Sequence, residues 1–399
     1  MSTGGRLDGD SAADVIIVGG GPVGLALAAL LGRAGRHRVS VLDARASFAL
    51  PEGLDARVYA LSRASQQLLV RCGAWDALAE RHAWPYLRME VWDGARPRHP
   101  ARTLVFDAAE LAEPDLGHIV ENARLEHALR DAALACEGVS LRTGARVEAL
   151  ELSLDGAAVI TAEGERLQAG LVVAADGSGS RLRMLAGIDV QQRDYRQRAI
   201  VTHVVTEQPH GQTAWQRFLP TGPVALLPLG DGRCSVVWSA DEPLAEALLA
   251  MTDEAFCAAL GEATDHVLGA VSAPEPRVDL PLRWLHARSY TARRFALAGD
   301  AAHVVHPLAG QGANLGLADA AMLAECLDRD GDPGERRGLR RYERARKTDN
   351  LAMLAALDAL QRVFSLRTEP LIGLRAGGVG LVQRIGPLKR RLVRRAMGV

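Results

Sequence analysis

The stretch FALAGDAAHVVHPLAGQGANLGLADAAML concentrates side chains that could take part in chemistry. Asp300 follows a glycine, and His303 and His306 lie three residues apart. Gly310 and Gly312 stand immediately before a helical pattern. Two histidines and a carboxylate could hold iron in an oxygenase, whereas glycines before a helix expose amides that stabilise an anion. We favour a turn or core role for the histidines because no independent third ligand accompanies them.

Three glycines near the N-terminus have the spacing of a dinucleotide-binding turn. Gly19, Gly21 and Gly24 form G-x-G-x-x-G between a buried strand and a helix. The first permits a tight turn, the second lets backbone approach a diphosphate, and the third lets the helix pack on the strand. Asp43 ends the next strand and can accept the ribose hydroxyls of an adenosine. It disfavours a 2′-phosphate, although Arg45 nearby keeps NADP open, so the unit predicts a bound adenine dinucleotide.

Two further turns place a carboxylate at the end of a strand. In AADGSGSRLR, Asp176 and Gly177 precede small residues and Arg181. This pattern fits a second close approach of backbone to a ligand, but taken alone it favours an ordinary Asp-Gly-Ser turn. Asp300 could accept a hydrogen bond from a sugar-like hydroxyl.

The elements that must position these residues begin with a βαβ unit. DVIIVGG is typical of a buried strand, PVGLALAALLGRAG of a helix and RVSVLDA of a second strand. The uncharged run VIIVGGGPVGLALAALLG has the length of a membrane span, but its glycines and proline would break a helix. Acidic residues precede it, so we expect no signal peptide. Antiparallel strands follow in the middle of the chain, and helices dominate after about residue 319.

Composition narrows the classes of function. With 399 residues and a formal net charge of -1, the chain suggests two domains, or one large domain with an insertion, and no general attraction to nucleic acid. Five cysteines without a CxxC motif indicate reduced thiols in a cytoplasmic protein rather than disulfides or a metal site. Residues 361–399 carry nine Lys or Arg against one acid, which suggests an anionic partner or a solvated helix face.

Together the three glycine motifs resemble those of class A flavin-dependent aromatic hydroxylases, in which all three contact one FAD. GDAAHVVHPLAGQGANLGLADA is similar to the signature of the ubiquinone-biosynthesis hydroxylases, as are ARVYALS, GHIVEN, RRYERARK and RRAMGV. The resemblance covers nearly the whole chain and looks nearest to the 2-polyprenylphenol hydroxylase branch. Asp43 stands where Glu is commoner, and Tyr59 falls inside the R-x-x-A-L pattern of Arg57 to Leu61.

The resemblance implies an α/β fold similar to para-hydroxybenzoate hydroxylase, with a Rossmann-like FAD-binding domain, an inserted antiparallel β-sheet domain for substrate and a helical C-terminus. These parts are expected at residues 1–75, 100–183 and 285–330 for FAD, 76–99 and 184–284 for substrate, and 331–399 for the C-terminal helical region. The implied cofactor-binding residues are Gly19, Gly21, Gly24, Asp43, Arg57, Arg124, Asp176, Gly177, Gly299, Asp300, Pro307, Gly310, Gln311, Gly312 and Asn314. Those implied at the reacting flavin ring are His306, Pro307, Gly310 and Gln311.

The implied reaction is hydroxylation of the aromatic ring of a hydrophobic polyprenylphenol in ubiquinone biosynthesis. NADPH or NADH would reduce FAD, and the reduced flavin would react with O₂ to give a C4a-hydroperoxide that oxygenates the phenol. The chain has no second G-x-G-x-x-G, so the nicotinamide cofactor is expected to bind transiently. His203, Tyr195 and His306 are candidate bases for the phenol, and no metal is expected.

Three other functions remain open from the sequence. The chain could hydroxylate a small soluble phenolic or secondary-metabolite aromatic, since the cofactor motifs would be the same. It could be a non-catalytic flavin-binding subunit of a biosynthetic complex. It could also be a non-haem iron oxygenase that uses His303 and His306.

The C-terminal sequence PLKRRLVRRAMGV predicts a basic amphipathic helix. Leu388, Leu392 and Ala396 recur at helical spacing, and Lys and Arg cover the remaining face. We expect residues 387–399 to dock a cytoplasmic enzyme on the inner face of the bacterial membrane or on a ubiquinone-biosynthesis complex. A helix packed on the core with a solvated basic face is the alternative, and the oligomeric state is left open.

Overall fold

The computed structural model describes residues 13–305, 311–329 and 331–365. The strands are β1 (Ala13–Val18), β2 (Val39–Leu42), β3 (Val58–Ser62), β4 (Ala83–Tyr86), β5 (Arg88–Asp93), β6 (Thr103–Asp107), β7 (Gly117–Glu121), β8 (Val139–Arg142), β9 (Val147–Leu152), β10 (Ala157–Thr161), β11 (Arg166–Ala174), β12 (Val190–Thr206), β13 (Thr213–Leu219), β14 (Gly222–Pro228), β15 (Cys234–Asp241), β16 (Val271–Ser272), β17 (Val278–Ala287), β18 (Thr291–Ala292), β19 (Phe295–Leu297) and β20 (His303–Val304). The helices are α1 (Pro22–Ala34), α2 (Arg63–Cys72), α3 (Asp76–Ala79), α4 (Asn122–Leu134), α5 (Arg181–Leu185), α6 (Glu242–Ala250), α7 (Asp253–Ala263), α8 (Gln311–Arg329) and α9 (Arg336–Ser365).

The first sheet has a parallel centre in the order β19-β11-β1-β2-β8. The centre of β1 is fully buried, as expected for a parallel strand covered on both faces. Proline opens α1, and Gly35 ends it in the left-handed conformation at φ 68°. The uncharged N-terminal run is therefore a strand followed by a packed helix, and the predicted βαβ unit is confirmed. Among the described residues, no helix combines the length and apolar character that a membrane crossing needs.

The second sheet is built mainly from antiparallel strands in the order β20-β17-β12-β15-β14-β13-β5-β6. One face packs on α6 and α7 through a buried cluster that includes Ile200, Val236 and Trp238. On the other face, the ring of Phe218 stacks on Phe364 of α9 with centroids 4.1 Å apart. Side chains alternate between the faces of a strand, so β12 presents Ile200 to the helices and Val201 to the opposite side.

A small third sheet, β3-β7-β4, connects the two large ones. The α/β fold class is confirmed, and the division into domains remains a prediction. Sheet membership differs from the predicted boundaries at three places: β6 pairs with β5 in the second sheet, the end of β17 pairs with β12 there, and β20 pairs with β17. Residues 103–107, 285–287 and 303–304 therefore belong to the second sheet, although all three ranges were assigned to the FAD domain. These pairings join strands through long-range backbone hydrogen bonds, which local sequence patterns do not reveal.

All five cysteines are free in this structure. Cys72 and Cys234 are completely buried, and burial raises the pKa of each thiol to about 12. A thiol in such a setting is a small apolar core group rather than a nucleophile.

Candidate functional site

The three glycine motifs converge on one edge of the first sheet. Strands β19, β11, β1 and β2 are parallel neighbours, and each motif follows the carboxyl end of one of them. In an open parallel sheet this edge is the place where ligands bind. The structure therefore brings together the residues around Gly19, Asp43, Asp176 and Asp300, which are far apart in the sequence.

The fingerprint glycines have three different environments. Gly19 has φ +110°, and a Cβ on it would lie 2.2 Å from the carbonyl oxygen of Ala175. A Cβ on Gly24 would lie 2.0 Å from the carbonyl oxygen of Gly19, so the helix packs directly on the turn. A Cβ on Gly21 would meet no atom within 4 Å. Gly21 precedes α1 and faces open space at the positive helix end, where a diphosphate can approach the amides.

The carboxylate of Asp43 accepts more hydrogen bonds from the protein itself than the sequence suggests. It is buried, and it accepts hydrogen bonds from the amide of Gly20 at 2.6 Å and from the amide of Arg45 at 2.7 Å. The Arg45 guanidinium donates to both carboxylate oxygens, at 3.0 and 3.1 Å. Burial would raise the pKa of Asp43, but these bonds hold that pKa below its ordinary value. Asp43 is therefore ionised, and a ribose hydroxyl would have to compete with Arg45 for it.

The second motif is tied to the third by Arg183, which the sequence analysis missed. Gly177 has φ +83°. Arg183, buried in α5, donates to the carbonyl oxygens of Ser178 at 3.0 Å and Ala301 at 2.8 Å. Arg181, the residue singled out from the sequence, instead bonds the carbonyl oxygen of Glu148. The i, i+2 spacing of the two arginines places them on different sides of a short helix, and no sequence signal separates their roles.

Asp176 and Asp300 have carboxylates available for a ligand. Asp176 accepts from the amide of Leu182 at 3.2 Å through one oxygen, and its other oxygen is buried without a hydrogen-bond partner among the described residues. Asp300 has many protein atoms around it but remains exposed to solvent. Enclosure raises the pKa of Asp300; His303 opposes this effect and Asp319 adds to it.

Tyr59 lies close enough to Asp300 for the two groups to interact electrostatically. Its hydroxyl donates to Oδ1 of Asn122 at 3.0 Å, and burial raises the pKa of Tyr59 to about 12, so it remains a neutral donor. Arg57 is exposed, and its positive charge partly offsets the rise in the pKa of both Tyr59 and Asp300. Arg124 lies in the first turn of α4, where its positive charge contributes to lowering the pKa of His82. The predicted contacts of Arg57 and Arg124 with the cofactor remain predictions.

The third motif rests on a buried carboxylate that was not a predicted site residue. Asp319 in α8 accepts from the amide of Gly299 at 3.0 Å and from Nε2 of His303 at 2.5 Å. It also accepts from Nε of Arg346 at 2.7 Å. His303 is therefore a core histidine whose Nε2 is bonded to Asp319. Because Nε2 is already used in this bond, the interpretation of this nitrogen as an iron ligand is wrong. Within the described part of the chain, no group of three His, Cys, Asp or Glu side chains could hold a metal ion.

The start of α8 differs from the prediction. Gln311 and Gly312 are both helical, so Gly312 lies inside α8 rather than before it. Gly312 lacks a positive φ, and among the described residues a Cβ there would contact Val305 alone, at 3.8 Å. The backbone angle at Gly312 therefore does not require glycine. Asn314 accepts from the amide of Ser62 at 2.9 Å and donates to the carbonyl oxygen of Ala60 at 2.9 Å, which ties α8 to the third sheet.

Three predicted residues beside the flavin ring, His306, Pro307 and Gly310, lie outside the described residues, as does the segment 387–399. His203 is fully buried in β12 and contacts the carbonyl oxygen of Asp55 through Nε2 at 3.0 Å. A carbonyl can only accept, so Nε2 carries the proton, and Nδ1 is buried without a described partner. Tyr195 is partly buried beneath Arg193.

These features fit FAD. Four features lie along the same sheet edge. They are the open approach to α1 at Gly21, the ionised Asp43, the Asp176 oxygen that has no partner among the described residues, and the exposed Asp300. An extended dinucleotide has a diphosphate for the helix end and hydroxyls for the carboxylates.

Comparison with known proteins agrees with this geometry. Residues 12–355 match the family model described as FAD binding domain. The chain is 41% identical to ubiquinone hydroxylase UbiL of Rhodospirillum rubrum, over 98% of this chain and 90% of that protein. It is 37% identical to 3-demethoxyubiquinol 3-hydroxylase of Escherichia coli, over 97% and 98%. The solved structure of PqsL, a probable FAD-dependent monooxygenase from Pseudomonas aeruginosa, has a TM-score of 0.76 and 27% identity over 92% of this chain and 99% of that one.

The fold and the site therefore define an FAD-dependent aromatic hydroxylase, and FAD is the cofactor. The chain belongs to the ubiquinone-biosynthesis hydroxylase family of these enzymes. NAD(P)H and O₂ are the co-substrates typical of this class. When bound, the flavin supplies the activation of O₂, and the protein supplies orientation, a shielded space and fixed charges.

Proposed function

We propose that this enzyme hydroxylates the aromatic ring of a polyprenylated phenol on the route to ubiquinone. The observation that carries the proposal is the convergence of the three motifs on one sheet edge, together with identities of 41% and 37% to ubiquinone hydroxylases over almost the whole chain. The ring position, the length of the isoprenoid tail and the assignment to the 2-polyprenylphenol branch are parts of the proposal that these identities do not distinguish.

The second sheet supports a hydrophobic substrate. The face turned away from α6 and α7 carries Val201, Val237, Ala225 and Leu227 in neighbouring register positions. His203 and Ser235 lie on the same face, two residues along from Val201 and Val237. The face therefore combines an apolar surface that suits a prenyl chain with a few polar groups that could meet a phenol hydroxyl.

The borders of this face support a closed substrate space. The Asp55 loop lies against it through His203, and α9 lies against it through Phe364. The loop leads directly into Arg57, whose charge acts on the pKa of Asp300, and then into β3. A phenol lying between the sheet and Asp300 would thus have protein on both sides, and water exclusion is what an oxygen-transfer site requires.

His203 is the described residue that we propose as the base for the phenol. Its Nε2 is held by the carbonyl oxygen of Asp55, which leaves Nδ1 as the nitrogen able to take a proton. Ser235 lies directly opposite in β15, and its hydroxyl is also buried without a described partner. Both atoms have 0% exposure, so the proposal requires a substrate-induced opening at this point.

The function is tested by turnover with defined substrates. Purified holoenzyme is supplied with NADPH or NADH, O₂ and either a short-chain polyprenylphenol or the same phenol without its prenyl group. Mass spectrometry should show one added oxygen on the prenylated phenol at a rate well above that on the unprenylated one. Equal turnover would favour a soluble aromatic substrate, and absence of product from any phenol would favour a non-catalytic flavin-binding subunit. Deletion of the gene and the mass of the accumulated precursor would identify the step.

We further propose that the enzyme works in the cytoplasm, docked on an anionic membrane surface where such a substrate resides. Support comes from the exposed side of α9, where Arg336, Arg337, Arg340 and Arg344 have no ion pair among the described residues. Cations in a first turn oppose the helix dipole, and like charges at i, i+4 repel, so this arrangement costs helix stability. An anionic partner would offset that cost.

The docking proposal is tested by flotation with vesicles that contain anionic lipid. Replacing the four α9 arginines by glutamine should reduce flotation in low salt, because each contributes up to about 1 kcal/mol near an anionic surface. Arg142 and Arg166 make a matched control, since both are exposed but paired with Glu165 and Glu151. If the α9 variant floats as well as the control variant, this surface does not dock on membranes.

A further inference from the structure

Asp319 holds the turn that carries Asp300 through a hydrogen bond to the backbone of that turn. Gly299 adopts φ +62°, and its amide donates to Oδ2 of Asp319 at 3.0 Å. A Cβ at Gly299 would lie 2.9 Å from Val23 of α1, so the turn is also wedged against the dinucleotide-binding helix. Asp300 follows in the same 3₁₀ turn, Gly299–Ala301, and its direction therefore depends on how Gly299 is held.

Asp319 is itself immobilised. Besides the Gly299 amide, it accepts from His303 at 2.5 Å, from Arg346 at 2.7 Å and from Asn350 at 3.2 Å, so each carboxylate oxygen receives two donors. It has 0% exposure. Burial would raise the pKa of Asp319, but His303 and Arg346 hold that pKa below its ordinary value, so the carboxylate is ionised. A fully satisfied buried charge of this kind rigidifies what it touches.

The same hydrogen-bond chain reaches the second sheet. Asn350 donates from Nδ2 to the hydroxyl oxygen of Tyr290 at 3.3 Å, and that hydroxyl contacts Nε2 of His286 in β17 at 3.1 Å. Within the described residues, this series of hydrogen bonds does not extend to Gly21 or Asp43, the residues expected at the ADP half of the cofactor.

We propose that Asp319 is a positioning residue that orients the Gly299–Asp300 turn toward the ribityl part of FAD. It touches neither cofactor nor substrate and acts through the Gly299 amide. The two halves of the cofactor site are then separable: Asp319 controls affinity for the flavin half, whereas the βαβ unit alone controls affinity for the ADP half.

The test compares FAD with ADP on the apoprotein of the full chain. Asp319→Asn keeps the size but replaces one acceptor oxygen by an NH₂ group, which faces donors already present. Its FAD Kd should rise by about tenfold or more, while its ADP Kd should stay within about twofold of wild type. Tyr342→Phe is the matched control, because it removes an equally buried hydrogen bond, to the carbonyl oxygen of Leu297, two residues before Gly299. This control should lose thermal stability and keep both affinities.

Two outcomes would overturn the proposal: wild-type FAD affinity in Asp319→Asn, or a parallel loss of FAD and ADP affinity, which would mean general loosening. If Asp319→Asn does not fold, Asn350→Leu removes one outer donor and leaves Arg346 in place. It should weaken FAD binding by about two- to fivefold with unchanged ADP binding. FAD binding as tight as in Tyr342→Phe would then reject the positioning role. A wild-type chain without FAD affinity would instead contradict the cofactor assignment.

Discussion

Two glycines of the same fingerprint should fail in different ways when replaced by alanine. At Gly24 the new Cβ would lie 2.0 Å from the carbonyl oxygen of Gly19, against 3.4 Å for ordinary contact. Gly19 has little room to move away, because it packs closely on β11: a Cβ built on Gly19 would lie 2.2 Å from the carbonyl oxygen of Ala175. Overpacking costs about 1–3 kcal/mol, and the better helix propensity of alanine returns up to about 1 kcal/mol. Gly24→Ala should therefore destabilise the apoprotein by roughly 1–2 kcal/mol.

At Gly21 the same substitution meets open space. No atom of the described residues lies within 4 Å of the new Cβ, and the φ of −75° is ordinary for any residue. The free energy of unfolding of the apoprotein should change by less than about 0.5 kcal/mol. The methyl group would, however, stand where the diphosphate must approach α1. A steric cost of about 1–3 kcal/mol in the complex corresponds to an FAD Kd about 5- to 150-fold higher.

The assay combines thermal unfolding of the apoproteins with FAD titration followed by flavin fluorescence. Gly21→Ala should match wild type in unfolding and bind FAD weakly, whereas Gly24→Ala should unfold several degrees lower. The reasoning would be refuted if Gly21→Ala bound FAD with wild-type affinity, or if it destabilised the apoprotein as much as Gly24→Ala does.

Four further outcomes are expected. Asp300→Ala should weaken FAD retention by about 1.5–3 kcal/mol without lowering apoprotein stability, because enclosure already raises the pKa of this carboxylate; equal retention would remove its ribityl role. Gly312→Val should fold, since among the described residues its Cβ would contact Val305 alone, at 3.8 Å, yet lose hydroxylation; full coupled turnover would place the flavin elsewhere. Deleting residues 387–399 should leave FAD content normal and reduce flotation and quinone synthesis; FAD-free, unfolded protein would indicate a structural role, and no change would end the docking hypothesis. Burial and the nearby charges of His303 and Lys347 lower the pKa of His286 from 6.5 to about 4. Between these pH values the unfolded chain binds more protons than the folded one, so the free energy of unfolding should fall by up to about 3 kcal/mol as the pH drops from 6.5 to 4. The same pH dependence in His286→Gln would contradict this.

Much of the cofactor site was predictable because its signals are local. The βαβ unit, the strand ends at Asp43 and Asp176 and the glycines that need close approach or positive φ depend on neighbours within a few residues. Turn chemistry and hydrophobic periodicity report such short-range requirements directly. Parallel strands then align their carboxyl ends, so convergence of the motifs follows from the fold class.

Tertiary structure alone decided which side chains support the site. Arg183 bonds Ala301 across 118 positions, and Asn314 bonds Ser62 across 252. In the sequence, Asp319 is an ordinary polar residue of a helical segment. In the structure, four hydrogen-bond donors surround its carboxylate. A buried charge is stable only where such partners meet, and partners brought together by folding leave no periodic trace in the sequence. The chain's sequence therefore determined the cofactor and the edge that binds it, and packing determined what holds that edge in shape.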